Sequence, residues 1–209
     1  MLTIKLSRTQ LVILLGVIAV VSIGYWTWAN HIFGMGVYPG GTLKVVYKFE
    51  RADIGPSTYT MIVKPNGSKF DIFETVESNG RKADEVGSGF GASGAAGAAR
   101  IRFEANRTEN IDLSPLAVLD EKEIEIKPND KYLLPDGAIL QTGDKSVMLG
   151  INVINAVYTH PNYPTQRVVL ALADPETKKL LLYPPLLERQ KDGKLYTRVK
   201  LIEFTPPQK

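Results

Sequence analysis

Two hydrophobic patterns divide this chain. Residues 11–29, LVILLGVIAVVSIGYWTWA, run without a charge or a proline. At ~1.5 Å rise per residue, a helix of that length approaches the ~30 Å thickness of bilayer hydrocarbon, so one transmembrane helix is predicted there. From residue 43 the period changes to two. Leu43, Val45, Tyr47 and Phe49 alternate with Lys44, Lys48 and Glu50, the mark of a strand with one buried face.

The same reading continues along the chain. Gly55-Pro56 is predicted to break the first strand. Residues 58–63 and 69–77 should then form a hairpin around Asn66-Gly67, where glycine adopts positive φ cheaply. Ser114-Pro115 reads as the N-cap and first position of a short helix through Leu119. Short strands are expected at 100–104, 111–113, 123–127 and 131–134, with Gly143-Asp144 punctuating a hairpin around 139–142. Residues 147–159 form a long apolar run containing Gly150, and 160–164, HPNYP, a solvated loop. Residues 168–173 are apolar without alternation, as a strand buried on both faces is. A strand at 179–183, a hairpin at Asp192-Gly193 and a closing strand at 195–204 complete about ten strands with little helix. The expected fold class is mainly β: an N-terminal transmembrane helix, then an antiparallel, curved sheet or an incomplete β-barrel or sandwich.

Charge orients the anchor. Lys5 and Arg8 precede the apolar run, the first acid is Glu50, and the first cation beyond the run is Lys44. The positive flank stays cytoplasmic. Tyr25, Trp26 and Trp28 sit at the distal end, where amphipathic rings favour the headgroup level. A cleaved signal peptide would have a shorter apolar core and a small-residue cleavage site; here the candidate site lies inside the aromatic cluster, which favours an uncleaved anchor. The expected organisation is a cytoplasmic stretch 1–10, a transmembrane helix 11–29, a Gly-rich juxtamembrane linker 30–42 and an extracytoplasmic β domain 43–209. In a bacterial cell that places the domain in the periplasm, on the inner membrane.

Charge and composition then remove several functions. Lys5 and Arg8 account for two of the 25 basic residues, leaving 23 against 22 acids, so nucleic acid is not an expected partner. Without cysteine and with only His31 and His160, thiol nucleophiles, thiolate metal sites and multi-histidine centres are excluded. No catalytic residue, metal or cofactor is expected. Asp71, Glu74, Glu121, Glu123 and Glu125 read as solvated strand-face carboxylates. The stretch 87–99, GSGFGASGAAGAA, lacks the lysine and spacing of a phosphate loop and reads as a mobile loop. Its one large side chain, Phe90, is the expected docking anchor, joined by Tyr25, Trp26 and Trp28 at the interface.

From residue 147 onward the order of features resembles the periplasmic lipoprotein-carrier (LolA-like) family. The resemblance rests on Gly150-Ile151 leading into Val153, Val157 and Tyr158, and on the strand at 168–172 ending at Asp174-Pro175-Glu176-Thr177. Leu180-Leu181-Leu182, the Asp192-Gly193-Lys194 hairpin and Glu203-Phe204 before Pro206-Pro207 complete it. It covers roughly residues 147–205 and implies a half-open β-barrel around an apolar cavity. The residues themselves favour a single-pass accessory subunit whose β domain docks on a larger membrane complex. The resemblance implies the alternative, binding or transfer of lipid by a tethered domain.

Two outcomes follow. Carbonate washing should leave the chain in the membrane pellet with residues 1–29 intact, and a released chain lacking them would show cleavage. Phe90→Ala should weaken co-purification of a partner with thermal stability nearly unchanged; a large stability loss would place Phe90 in the fold instead.

Overall fold

In a computed structural model of the chain the described residues are 38–51, 54–78 and 111–208, with the backbone alone at 54 and 55. The predicted transmembrane helix 11–29, the linker up to residue 37, the segment 87–99 and the predicted strand 100–104 lie outside them. So do Tyr25, Trp26, Trp28 and Phe90. Among the described residues no helix is long and apolar enough to cross a membrane.

The described chain is mainly β, in one curved, open antiparallel sheet. Its strands are β1 (Thr42–Arg51), β2 (Ile54–Asn66), β3 (Lys69–Ser78), β4 (Lys131–Leu133), β5 (Ile139–Met148), β6 (Ile151–Thr159), β7 (Gln166–Ala173), β8 (Leu186–Lys191) and β9 (Lys194–Gln208). They lie in the order β3-β2-β1-β9-β8-β7-β6-β5-β4. Two meanders, β1–β3 and β4–β9, are thus joined where the first strand meets the last, from Thr42↔Gln208 to Arg51↔Thr197. Gly41 makes the start of this seam possible: its φ is +85°, and a Cβ there would run into the carbonyl of Gln208.

The alternation in β1 holds, with Leu43, Val45, Tyr47 and Phe49 all buried. So does the predicted double burial of β7. Val168 and Leu170 join one apolar cluster with Tyr158, Ala156, Leu140 and Ile111, while Ala171, one residue on and on the other face, joins a second with Val153, Ile151 and Leu181. The second cluster also holds Leu43, Val45, Tyr47 and Phe49 of β1 and Val199 and Leu201 of β9. At its centre the Tyr47 hydroxyl donates to the Tyr183 carbonyl at 2.7 Å, and the Tyr183 ring stands edge-on to Tyr47 and Phe49.

Several expectations are corrected. The apolar run 147–159 is not one element: Leu149 (φ 52°) and Gly150 (φ 79°) turn it into the β5–β6 hairpin, closed by Met148↔Ile151. A leucine in the left-handed region gives no turn signal. Gly143-Asp144 is not a hairpin turn but a bulge in a longer β5, where the register slips between Thr142 and Lys145. Gly55-Pro56 falls inside β2, next to the slip between Phe49 and Arg51. Residues 111–113 are not a strand, although Ile111 is buried.

No strand forms at 123–127. The short helix α1 (Ala117–Glu121) ends when Ile124 N–H donates to Leu119 O and Glu123 N–H to Asp120 O, with Glu123 at φ 49°. That is a Schellman termination, and it turns the chain out of line. The 3₁₀ turn Ser114–Leu116 before α1 is preceded by Leu113, which makes no side-chain cap; Ser114 Oγ donates instead to Asp112 at 2.8 Å. Residues 179–183 are not a strand either. Asp174 caps α2 (Pro175–Lys178) by accepting from Thr177 N–H at 3.0 Å. The chain then lays Leu180, Leu181, Leu182 and Tyr183 into the second cluster.

Burial raises the Tyr47 phenol above its ordinary 10.0, so the folded chain holds a proton that the unfolded chain releases. That contribution is complete below the unfolded value and is lost as the pH rises toward the folded one. Tyr47→Phe should therefore cost ~1–2 kcal/mol near neutrality. Its stability should also fall less steeply above pH 10.0, as read by denaturant unfolding at two pH values. Equal alkaline slopes would assign the loss to another group.

Candidate functional site

The described structure leaves one sheet edge open and apolar. The β2–β3 hairpin is closed by the pair Asn66↔Lys69 around Gly67-Ser68, with Gly67 at φ +60°. In a two-residue hairpin the closing pair is hydrogen-bonded. The N–H and C=O of Lys69, Asp71, Phe73 and Thr75 therefore face β2, while those of Phe70, Ile72, Glu74 and Val76 face outward. Pro65, opposite Phe70, agrees with this parity because its missing N–H falls where β2 does not bond β3. Beyond β3 no further described strand pairs.

Both faces of this edge carry apolar side chains. Phe70 is 42%, Ile72 63% and Phe73 51% exposed. Ile72 extends the row of buried Leu43 and Val63, and Tyr38 stands edge-on to Phe70 at 5.0 Å. On the other face Lys64 Nζ lies 5.6 Å from the centre of the Phe73 ring. Two of the three acids of β3 are held in place: Asn66 Nδ2 donates to both oxygens of Asp71 at 3.1 Å, and the Tyr59 hydroxyl donates to Glu74. Glu74, exposed as a solvated strand-face carboxylate should be, thus lies on the Tyr59 face of the sheet. With Lys69 against Asp71, Glu74 and Glu77, the strand is acidic. Proline and inward-pointing lysine, the usual guards of an edge, are absent from it.

The groups that acid–base chemistry would need are arranged otherwise. His160 is not solvated as expected but 4% exposed. Its Nδ1 accepts from Asn162 N–H at 3.1 Å, and its ring stands edge-on to Tyr163 at 5.4 Å. Asp112 is held below the usual carboxylate range, first by the Ser114 backbone N–H and then by the Ser114 hydroxyl, with His160 close enough to act on it. Ser114, Asp112 and His160 are therefore neighbours. The serine hydroxyl, however, donates to the aspartate and not to the imidazole, so the group is a turn and not an activated nucleophile. Among the described residues no cluster of acids and histidines could hold a metal.

No family profile and no curated protein matches the chain. Two solved structures are similar to it. One is MucB, at 14% identity and a TM-score of 0.39, over 86% of this chain and 57% of that one. The other is MucB in complex with MucA(peri), at 14% identity and a TM-score of 0.38, over 87% and 54%. The chain thus spans little more than half the length of either.

β3 was legible as a strand, because the Asn66-Gly67 turn returns the chain antiparallel to β2. Its position at the edge was not, because strand order is set by the pairing of β1 with β9, which leaves no local trace.

Proposed function

We propose that this chain is a membrane-tethered, non-catalytic accessory subunit whose extracytoplasmic domain binds a partner protein by adding the partner's strand to β3. The observation that carries the reading is the outward-facing backbone of Phe70, Ile72, Glu74 and Val76 on a strand whose apolar side chains stand exposed. Backbone bonding gives such a site affinity, and alternate side chains give it specificity. The excess of acids along β3 favours a partner strand carrying Lys or Arg between apolar residues. The tether at 11–29 supports the same reading, since an anchored domain reaches a membrane partner at high effective concentration.

Parity supplies the test. The N–H of Ile72 points outward, so Ile72→Pro removes a donor that the β2–β3 ladder does not use. Wild-type protein purified in mild detergent should carry a stoichiometric companion, identified by mass spectrometry. Ile72→Pro should lose at least nine-tenths of it, ~1.4 kcal/mol or more of binding, with thermal unfolding within a few degrees of wild type. Phe73→Pro, which cuts the ladder, should lower thermal stability as well. A companion retained by folded Ile72→Pro, or missing from wild type, would defeat the proposal.

A further inference from the structure

We infer that the tip of the β5–β6 hairpin is a second membrane contact, with Val147 and Leu149 seated in the headgroup boundary of the bilayer that anchors the chain; this rests on the reading of residues 11–29 as a transmembrane helix. Val147 is 69% and Leu149 46% exposed. Leu149 is the first residue of a two-residue turn and holds φ 52°. Turns of this kind in water take Asn, Asp or Gly there, which tolerate positive φ and are polar or small. A leucine pays twice, in backbone strain and in apolar area left in water.

The place of the tip in the sheet indicates its occupant. Through the antiparallel series β1, β9, β8, β7, β6, β5, the turn after Met148 lies at the same sheet margin as Thr42, where the chain enters the domain. Tyr38 and Leu43 at the entry share one apolar cluster with Met148 and Ile151 beside the tip. The entry itself is fixed: the Tyr38 hydroxyl donates to Gly41 O at 3.0 Å, and Gly41 lies against Gln208. The linker from residue 30 to 41 can extend to no more than ~40 Å, which keeps this margin near the bilayer. From 145 to 153 the sequence KSVMLGINV holds one lysine and no acid, so nothing there opposes an anionic headgroup. Two side chains are too few for a stable protein interface, which buries ~800 Å² per partner. A bilayer, in contrast, accepts apolar side chains singly.

The natural chain has no cysteine, so a nitroxide can be placed at one position of the full-length protein. The chain is reconstituted in nanodiscs of phosphatidylethanolamine and phosphatidylglycerol as Leu149→Cys, as Val147→Cys and, for reference, as Leu133→Cys, 78% exposed at the opposite margin. Accessibility to oxygen relative to a nickel chelate should be several-fold higher at 147 and 149 than at 133. Ratios equal to that at 133, with the chain still resistant to carbonate, would overturn the inference while leaving the anchor standing. Low accessibility to both reagents would reveal protein cover and overturn it too. Release of the chain by carbonate would defeat the anchor reading, and this inference with it. As a check that strain is spent on the contact, Leu149→Asn should raise the thermal midpoint of the protein; a fall would show that the leucine serves the fold.

Discussion

The pairing of β1 with β9 is the interaction on which the rest depends. Strands nearly the full sequence apart form a ladder from Thr42↔Gln208 to Arg51↔Thr197, and without it the two meanders would be separate sheets. Hairpins form locally and early, whereas this ladder must close a loop of most of the chain before any contact rewards it. Once closed, it lines up Tyr47, Phe49, Val199 and Leu201 in one apolar cluster. Outside it, Arg198 of β9 meets Glu50 of β1 at 3.1 Å and Glu188 of β8 at 2.6 Å. These three are partly exposed, so the network adds registration more than energy.

The β7–β8 connection shows how an open sheet is held without a barrel's closure. Asp174 bends the chain into one helical turn, and the following leucines and Tyr183 fill the cluster shared by β1, β6, β7 and β9. Tyr47 then binds the backbone of that connection at its carbonyl and, at 3.3 Å, at the Tyr183 N–H. One hydroxyl thus registers an irregular segment against β1 in the core. Leu201 N–H to Pro185 O, at 2.8 Å, does the same from β9.

An open sheet has two ends, and they differ. β4 is only three residues long, a short edge of the sort that resists pairing. β3 is ten residues long, carries exposed apolar side chains on both faces, and pairs with no further strand among the described residues. An edge of this kind invites pairing with another strand, and this is why it is read as the docking site. Leu149 is a comparable local violation. Where residue choice contradicts turn chemistry and no packing repays it, function is the first explanation to test.

Local chemistry was readable from the sequence wherever a short-range rule acts. Period-two alternation located β1, the Asn66-Gly67 and Asp192-Gly193 pairs located two hairpins, and unbroken apolarity marked β7 as covered on both sides. Positions whose residue type carries no mark of the turn, and those decided by distant partners, were not readable. Leu149 turns because Met148 and Ile151 pair, and Glu123 adopts positive φ to finish α1. His160 is buried beside Tyr163 although its neighbours spell a solvated loop. The leucines at 180–182 have a strand's composition, yet they are bent into a packed connection by the cap at Asp174. The edge itself was the least visible of all: each strand carries its own period, but which strand ends the sheet depends on a ladder between the first strand and the last. The sequence by itself determined the elements that carry a short-range mark, β1, β7 and the hairpins at Asn66-Gly67 and Asp192-Gly193, because those follow from steric preference and periodicity over a few residues. Only the tertiary structure decided which apolar side chains are covered and which are left to a partner, because coverage is a property of what the rest of the chain places above them.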